Sequence, residues 1–345
     1  MKTAQEESLQ VQMEKSNALR SSVKKLYIYV VLVLIIIVFS VVKLGQVDMF
    51  GRGHFLSPDS VINLLRAAVP ILTLSGAFTL LMISGYIDLS VGSAMSLSAV
   101  VFALMVLNGF PFVFALCITM TLGIAFGFLN GLLVVKLRIT PVIATLVTLN
   151  LFKGIALLIV PHGLSAIKGS ASKPMPAWIN DYARKEVLLG LPWAFYVAVA
   201  VIIILVIVQR RTILGKYAAA IGGNRVAAEL SGINAIRWVW LLYVIVGLFA
   251  ALAGLARASY MSLGDPLSGD GMELDCIIAV LLGGTAFSGG EGWVSKTIVG
   301  ALIIMCVTTG LMTVIPAFWQ TMAKGSVLII AVVLNHLLVR EKAKA

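Results

Sequence analysis

The chain of 345 residues is 60% hydrophobic and only 12% charged, with a mean hydropathy of +1.04. This composition excludes a soluble domain, in which charged residues usually make up about a quarter of the total. The formal net charge of +11 would suit a nucleic-acid partner, but the bases are distributed as in a membrane protein, which excludes that class. The apolar runs are continuous rather than alternating as in barrel strands. The sequence therefore predicts an all-α integral membrane protein.

Ten apolar segments are predicted to span the membrane, since each approaches the roughly 20 residues that a hydrocarbon core of about 30 Å requires. In chain order they cover 26–44, 60–83, 88–107, 112–135, 139–160, 193–209, 238–262, 273–289, 294–313 and 319–339. A polar segment, 1–25, precedes the first run. Because a cleaved signal peptide begins with a short basic stretch instead, the first run is predicted to be a membrane span and not a signal peptide. The predicted transmembrane domain is 26–340, and a short tail follows at 341–345.

The charge distribution orients these spans. Lysine and arginine concentrate in segments 1–25 and 210–237, whereas loop 263–275 carries four acids and no base. By the positive-inside rule the basic segments are cytoplasmic, and the acidic loop lies outside together with loop 161–192. An even number of spans then places both termini in the cytoplasm. Bases inside the apolar runs, such as Lys153, fall near predicted span ends, where long side chains reach the interface.

An internal repeat is the next prediction. A shift of 205 residues places Gly85 on Gly290 and Asn130 on Asn335. Both copies then consist of a helix, a glycine-rich break, a helix, an outer turn and a helix. Because both breaks fall on the same side, the repeat is expected to be parallel. Apolar sequence rich in leucine also aligns by chance, and that remains the alternative.

Segment 83–97 places an ionisable residue, Asp88, between two apolar spans and beside Gly85, Ser90 and Gly92. In one interpretation Asp88 is the N-cap of the second span and complements the positive end of its dipole. In the other it lines a path through the bundle or holds a neighbouring helix during gating, because carboxylates inside membranes are usually functional. Its position near the predicted cytoplasmic interface favours the first interpretation.

The longest predicted cytoplasmic loop, 210–237, is rich in small residues that a plain tether does not need. It is predicted to form one short helix at 216–221 and another from Asn224, which ends at Gly232. Small residues on short helices allow close docking to a partner protein, whereas the alternative is a solvated basic loop. The docking residues predicted here are Gly222, Gly223, Asn224, Ala227, Ala228 and Gly232.

A second glycine-rich segment, 283–292, holds five glycines in ten residues. It lacks the GxxxxGK[ST] pattern of a phosphate-binding loop, so no nucleotide site is predicted in this chain. A non-helical gate or re-entrant turn fits better, because irregular backbone is tolerated in membranes only when protein or water surrounds it. The residues assigned to this gate are Gly283, Gly284, Gly289 and Gly290.

No chemistry-bearing constellation is found in the sequence. The three histidines are far apart, the three cysteines lack metal-ligand spacing, and no HExxH pattern occurs. The chain is therefore expected to be neither an enzyme nor a metal or cofactor protein. If it moves a solute, the scarcity of acids in mid-membrane places the energy source in another chain. The alternatives are an ion-coupled secondary transporter of a small polar solute and a membrane scaffold that transports nothing.

Five motifs in a fixed order carry a family resemblance. They are GYIDLSVGS (85–93), LRITPVIATLVTL (137–149), GGNRVAAELSGIN (222–234), MELDCIIAVLLGGTAFSGGEG (272–292) and WQTMAKGSVLIIAVVL (319–334). Together they resemble the permease subunit of a ribose-type (simple sugar) ABC importer. The likeness covers about residues 57–340. Tyr86 departs from it, because the family usually has glycine there.

The resemblance implies a set of partners and a location. A second permease subunit, identical or paralogous, would pair with this one in the cytoplasmic membrane of a prokaryote. Cytoplasmic P-loop ATPases would bind ATP and dock on segment 222–234, and an extracytoplasmic binding protein would deliver the sugar. A neutral polyhydroxylated solute suits a path lined by hydroxyls and amides, although such residues also pack membrane helices. The path candidates are Ser93, Asn130, Thr145 and Asn150.

Overall fold

The computed structural model describes residues 28–40, 57–161, 165–170 and 173–312, together with 319, 322, 325, 326 and 329. Helices dominate these residues. In chain order they are α1 (Ile28–Ser40), α2 (Pro58–Ile83), α3 (Val91–Leu107), α4 (Phe112–Gly131), α5 (Pro141–Ile159), α6 (Trp193–Arg211), α7 (Ile213–Gly223), α8 (Arg225–Leu230), α9 (Ala235–Met261), α10 (Met272–Leu282) and α11 (Val294–Met312).

The remaining regular elements are short. A π-helical turn, Leu132–Lys136, extends α4, and a 3₁₀ turn covers Ala177–Asn180. Two antiparallel strands, β1 (Glu186–Leu188) and β2 (Leu191–Pro192), form a hairpin. Arg66 in α2 ties this hairpin to the bundle by donating to Glu186 at 2.7 Å. We call this side of the molecule the hairpin end.

Six helices in the described residues are long and apolar enough to cross a membrane. They are α2, α4 with its π-helical extension, α5, α6, α9 and α11. Each begins and ends within a few residues of a predicted span, because the apolar run itself sets the helix. The predicted span 319–339 lies almost wholly outside the described residues. The number of ten spans and the position of the termini therefore stay predictions.

One predicted span, 273–289, is wrong as a continuous helix. Helix α10 covers only the first 11 residues of this region and ends at Leu282. At 1.5 Å per residue it is about 16 Å long, roughly half of a hydrocarbon core. The backbone cannot continue as a helix because Gly284, Gly289 and Gly290 have positive φ. The non-helical turn expected over 283–292 is confirmed.

The segment before α10 is also irregular and descends along α3. A Cβ on Gly264 would lie 2.8 Å from that of Ala103. Gly269 donates its N–H to Ser96 Oγ, and a Cβ on Gly269 would overlap the carbonyl of Gly92. From Ala103 down to Gly92 the segment follows α3 for about 16 Å. Segment 262–271 is thus a re-entrant segment without regular secondary structure rather than a surface loop. Together with α10 it makes one discontinuous passage.

Helices α2 and α9 form the centre of the bundle. In an apolar stretch of 18 residues within α2, 83% of the residues are buried, against 28% in the corresponding stretches of α4, α5 and α6. The outer helices therefore present apolar side chains outward, as Ile203 and Ile204 of α6 do. This distribution is that of a membrane bundle, since the outward apolar surface meets lipid rather than water.

Helices α4 and α9 pack along a seam of small residues. Gly123, Gly127 and Gly131 repeat every four residues along one face of α4. A Cβ on Gly127 would come within 2.5 Å of Val244 Cα, and one on Gly123 within 2.5 Å of Gly247 O. Such small-xxx-small seams let membrane helices approach at backbone distance.

The seam makes a stability prediction. Replacement of Gly127 by Ala places a methyl group against the α9 backbone, so we expect a loss of about 1–3 kcal/mol from overpacking. The matched control is Gly154→Ala on α5, where a Cβ would meet nothing within 4 Å. Thermal unfolding in detergent should show a lower midpoint for G127A only. Equal midpoints for both variants would contradict the seam.

Candidate functional site

Three segments meet by direct backbone contact at the end of the bundle that carries α7 and α8. Gly290 donates its N–H to the carbonyl of Ile83 at 2.8 Å. A Cβ on Gly222 would overlap that carbonyl and lie 2.6 Å from Gly290 N, and one on Gly289 would lie 2.8 Å from Gly85 Cα. We call Gly85, Gly222, Gly289 and Gly290 the glycine junction. No side chain fits between its members.

The junction also needs glycine for its backbone conformation. Gly85 has a φ of +83°, and Gly289 and Gly290 have +84°. These left-handed values are readily adopted only by glycine. Gly85 and Gly290 are the pair that the 205-residue shift superimposes, so the aligned positions share one conformation. This agreement fits the predicted repeat, which stays a prediction.

Asp88 lies next to the junction and is buried. Its Oδ1 accepts from Ser90 N at 2.8 Å and Ser90 Oγ at 2.7 Å, and its Oδ2 accepts from Asn130 Nδ2 at 2.9 Å. Asn130 also donates to Ser90 Oγ at 2.8 Å. Both carboxylate oxygens are thereby used to tie the turn between α2 and α3 to α4.

The expectation that Asp88 is the N-cap of α3 is wrong in position. The N-cap is Ser90, and its side chain makes no capping bond. Asp88 instead closes a turn with the residue two positions on, as Asp side chains commonly do in turns. The helix begins later than predicted, at Val91, because the carboxylate holds Ser90 N in that turn.

The other gate residues are separated from the junction. Gly92 packs under Gly269 of the re-entrant segment, where a side chain would overlap the Gly269 carbonyl. Gly283 packs on α11, since its Cβ would lie 2.8 Å from Thr297 Cα, and Gly284 supplies a positive φ to the turn. These glycines therefore shape the discontinuous passage.

Helices α7 and α8 largely follow the prediction. Helix α7 is longer than expected, Ile213–Gly223 rather than 216–221, and Gly222 stays helical while it packs on Ile83. Asn224 caps α8 and accepts from Ala227 N at 3.0 Å, as predicted. Ala228 is buried on the inner side of α8, and Gly232, with a φ of +85°, follows its end.

One link between α8 and the junction was missed by the sequence analysis. Arg225 Nη1 donates to the Tyr86 hydroxyl at 2.7 Å, and Arg225 Nε donates to Glu229 at 2.9 Å. The bond to Glu229 raises the pKa of Arg225 further, so the guanidinium stays a charged donor. The only signal in the sequence was the departure of Tyr86 from glycine.

The link continues into the bundle. The Tyr86 ring packs edge-on against Tyr243 of α9, with 6.4 Å between centroids. The buried Tyr243 hydroxyl donates to the carbonyl of Ile87 at 3.0 Å. Arg225, Tyr86, Tyr243 and Ile87 thus connect α8 to the Asp88 turn without a gap.

The path candidates fall into two groups. Ser93, Asn130 and Thr145 are buried within this chain, and Thr145 donates to its own helix at Pro141. Asn150 is exposed near the middle of α5 and donates one N–H to Leu146 O at 2.9 Å. The structure therefore brings Asn130 to Asp88 but leaves Asn150 apart on an outer face.

Comparison with known proteins identifies the family. Residues 60–333 match a family described as the permease component of the branched-chain amino acid transport system. The chain belongs to this family. It is a transport permease component rather than an enzyme, and it is a multi-pass protein of the cytoplasmic membrane.

Named relatives are similar over most of the permease. The ribose import permease of Bacillus subtilis is 34% identical over 287 residues, which cover 82% of this chain and 86% of that protein. The galactofuranose transporter permease of Escherichia coli is 35% identical over 286 residues, covering 82% and 81%. These likenesses confirm the resemblance to sugar ABC permeases. No solved structure matches the chain.

The junction predicts a difference between two adjacent glycines. Gly222→Ala should displace the turn at Ile83 and lower solute uptake about tenfold, as expected for overpacking by about 1–3 kcal/mol. Gly223→Ala is the control, because a Cβ there would meet nothing within 4 Å. Uptake would be measured in cells with equal amounts of inserted permease. A tolerated G222A variant would contradict the tight junction.

Proposed function

We propose that this permease is the membrane-spanning subunit of an ATP-driven ABC importer for a monosaccharide or related polyol. The named relatives support the solute class, since they are ribose and galactofuranose permeases. The observation that carries the mechanism is the glycine junction, where the end of α7 touches both glycine-rich turns. A movement of α7 and α8 reaches those turns directly.

The partners follow from the orientation. The positive-inside rule supports a cytoplasmic position for the basic segment 210–237 and with it the α7–α8 end, where two P-loop ATPases would bind ATP and drive transport. An extracytoplasmic sugar-binding protein then faces the hairpin end. A second permease subunit, of the same chain or a paralogue, completes the path, and lipid covers the outward apolar faces of α4 and α6. The chain itself holds no ATP, metal or other cofactor in this proposal, and nucleic acid is not a partner.

Helix α8 carries an apolar surface suited to the ATPase. Leu230 is 85% exposed and Val226 is 67% exposed. Four residues apart, they share one face of α8. A partner that covers this face would bury both side chains, which favours association. The predicted docking residues Ala227 and Gly232 lie beside them, and the small size of both leaves room for a partner.

The proposed cycle uses the junction as a hinge. ATP binding moves the docked ATPases together, and α7 and α8 pass the movement to the turns at Gly85 and Gly290. Hinges need only a few residues to absorb the backbone change. Asn150 lines the path in the described state, whereas Ser93, Asn130 and Thr145 would line it only after neighbouring helices separate.

The alternative, an ion-coupled secondary transporter, is not favoured. Such a protein would move solute alone, driven by an ion gradient and without ATP. Membership in a family of transport-system permease components argues for partner subunits. Purified permease that takes up sugar in proteoliposomes without ATPases would replace the importer proposal with this alternative.

Docking on α8 is tested with a charge on its exposed face. Leu230→Glu should lower the amount of P-loop ATPase that co-purifies from native membranes at least tenfold, because loss of an interface anchor typically costs about 2 kcal/mol or more. The control is Leu189→Glu, because Leu189 is similarly exposed but belongs to the hairpin end. Normal ATPase recovery with L230E would remove α8 from the interface.

The Arg225–Tyr86 link predicts a coupling defect without a folding defect. Tyr86→Phe keeps the ring against Tyr243 but removes the acceptor of Arg225. We expect about threefold less sugar moved per ATP, since one part-exposed hydrogen bond is worth roughly 0.5–1.5 kcal/mol. Tyr196→Phe is the control, because that hydroxyl bonds Leu188 O at the hairpin end. An unchanged ratio in Y86F would mean that the link does not transmit movement.

A further inference from the structure

A charged pair lies on the side of the bundle at hydrocarbon depth. Lys153 Nζ of α5 is 2.6 Å from Asp270 Oδ2 of the re-entrant segment, and their side chains are 33% and 46% exposed. Lys153 is about 18 Å from the start of α5 and about 9 Å from its end. Exposed apolar residues of α5 lie on both sides of it, Val147 below and Leu158 above.

This position differs from the sequence expectation. Lys153 was expected to reach the interface near a span end, but it is held by an acid from a segment that descends beside α3. Asp270 reaches this depth only because Gly269 packs against Gly92. Two charges exposed at such a depth are costly in lipid, so the surface that they share faces water or protein.

A third polar group extends the same surface. Asn150 is one turn from Lys153 on α5, at mid-helix, and among the described residues its amide donates a hydrogen bond to Leu146 O alone. Its carbonyl oxygen and second N–H point to no described partner. A polar amide at the middle of α5 thus lies one helical turn from the charged pair.

We propose that Lys153, Asp270 and Asn150 form a binding subsite for a neutral polyhydroxylated solute in the translocation path, an inference that rests on the proposed importer function. The three side chains offer both acceptors and donors, which suits hydroxyl groups because these both donate and accept. The pair is neutral as a unit. A zwitterionic amino acid fits less well. Lys153 is already paired with Asp270, so the carboxylate of the amino acid would find no free cation in this subsite.

The first test asks whether this surface is wet. In the assembled transporter with Cys117 replaced by Ala, Asn150→Cys is exposed to a membrane-impermeant thiol reagent during ATP-driven turnover. Ile203→Cys on α6 is the control, since Ile203 is similarly exposed and lies within about 2 Å of the same depth. Labelling of N150C but not I203C supports the subsite. An unlabelled N150C in every state overturns it.

The second test separates solute binding from a structural ion pair. Lys153→Met with Asp270→Leu removes both charges at once, so no charge is left unpaired. A structural pair replaced by apolar residues of similar volume is close to neutral for stability. The proposal expects ATP-driven uptake of the sugar to fall about tenfold while insertion and ATPase assembly persist. Wild-type uptake by the double variant would overturn it.

Failure of this inference is distinguishable from failure of the importer proposal. Proteoliposomes with wild-type permease, ATPases and loaded binding protein should show ATP-dependent uptake whatever the role of Lys153. If they show none, the function proposed for the whole chain is wrong. If they do, and a branched-chain amino acid is taken up in place of sugar, the solute class assigned to the subsite is wrong.

Discussion

The constraint on which the rest of the arrangement depends is the backbone contact at the glycine junction. Three segments far apart in sequence touch there through backbone atoms alone, with Gly222 of α7 against Ile83 and Gly290. A backbone contact has no side chain to rotate out of the way, so a displacement of one segment must displace the others. This property suits a gate that a partner moves from outside, and it explains why glycine stands at positions with ordinary as well as positive φ.

Around the junction, buried polar groups fix the position of the turn between α2 and α3, which the glycines alone would not hold in place. Asp88, Ser90 and Asn130 bond one another and fix the turn to α4. In a membrane interior an unpaired polar group is costly, so such a network has few alternative arrangements. Arg225 and Tyr86 extend the same fixed region outward to α8. The region thus combines glycines with a fixed polar network, which suits the proposed gate because such a combination favours movement between discrete states.

The sequence predicted the long apolar helices well because hydropathy over some 20 residues is enough to define them. Hydropathy alone extended one predicted span to residue 289, whereas the glycine content of 283–292 correctly predicted the non-helical turn in front of which α10 ends, at Leu282. The sequence did not reveal the link from Arg225 to Tyr86 and the pair of Lys153 with Asp270, because both join residues more than 100 positions apart. Features that depend on neighbouring residues were predicted correctly. Asn224, for example, caps α8 as its residue type suggests.

The discontinuous passage formed by segment 262–271 and α10 gives the bundle a feature that ten regular spans would lack. A regular helix satisfies its own backbone and offers only side chains, whereas a passage that changes from irregular chain to helix partway exposes backbone groups and a helix start inside the membrane. Glycines permit this irregular passage, because Gly269 and Gly92 have no side chains and the segment can therefore pack directly on the backbone of α3. The same close packing carries Asp270 to Lys153. The polar pair inside the bundle is thus a consequence of how Gly269 and Gly92 meet.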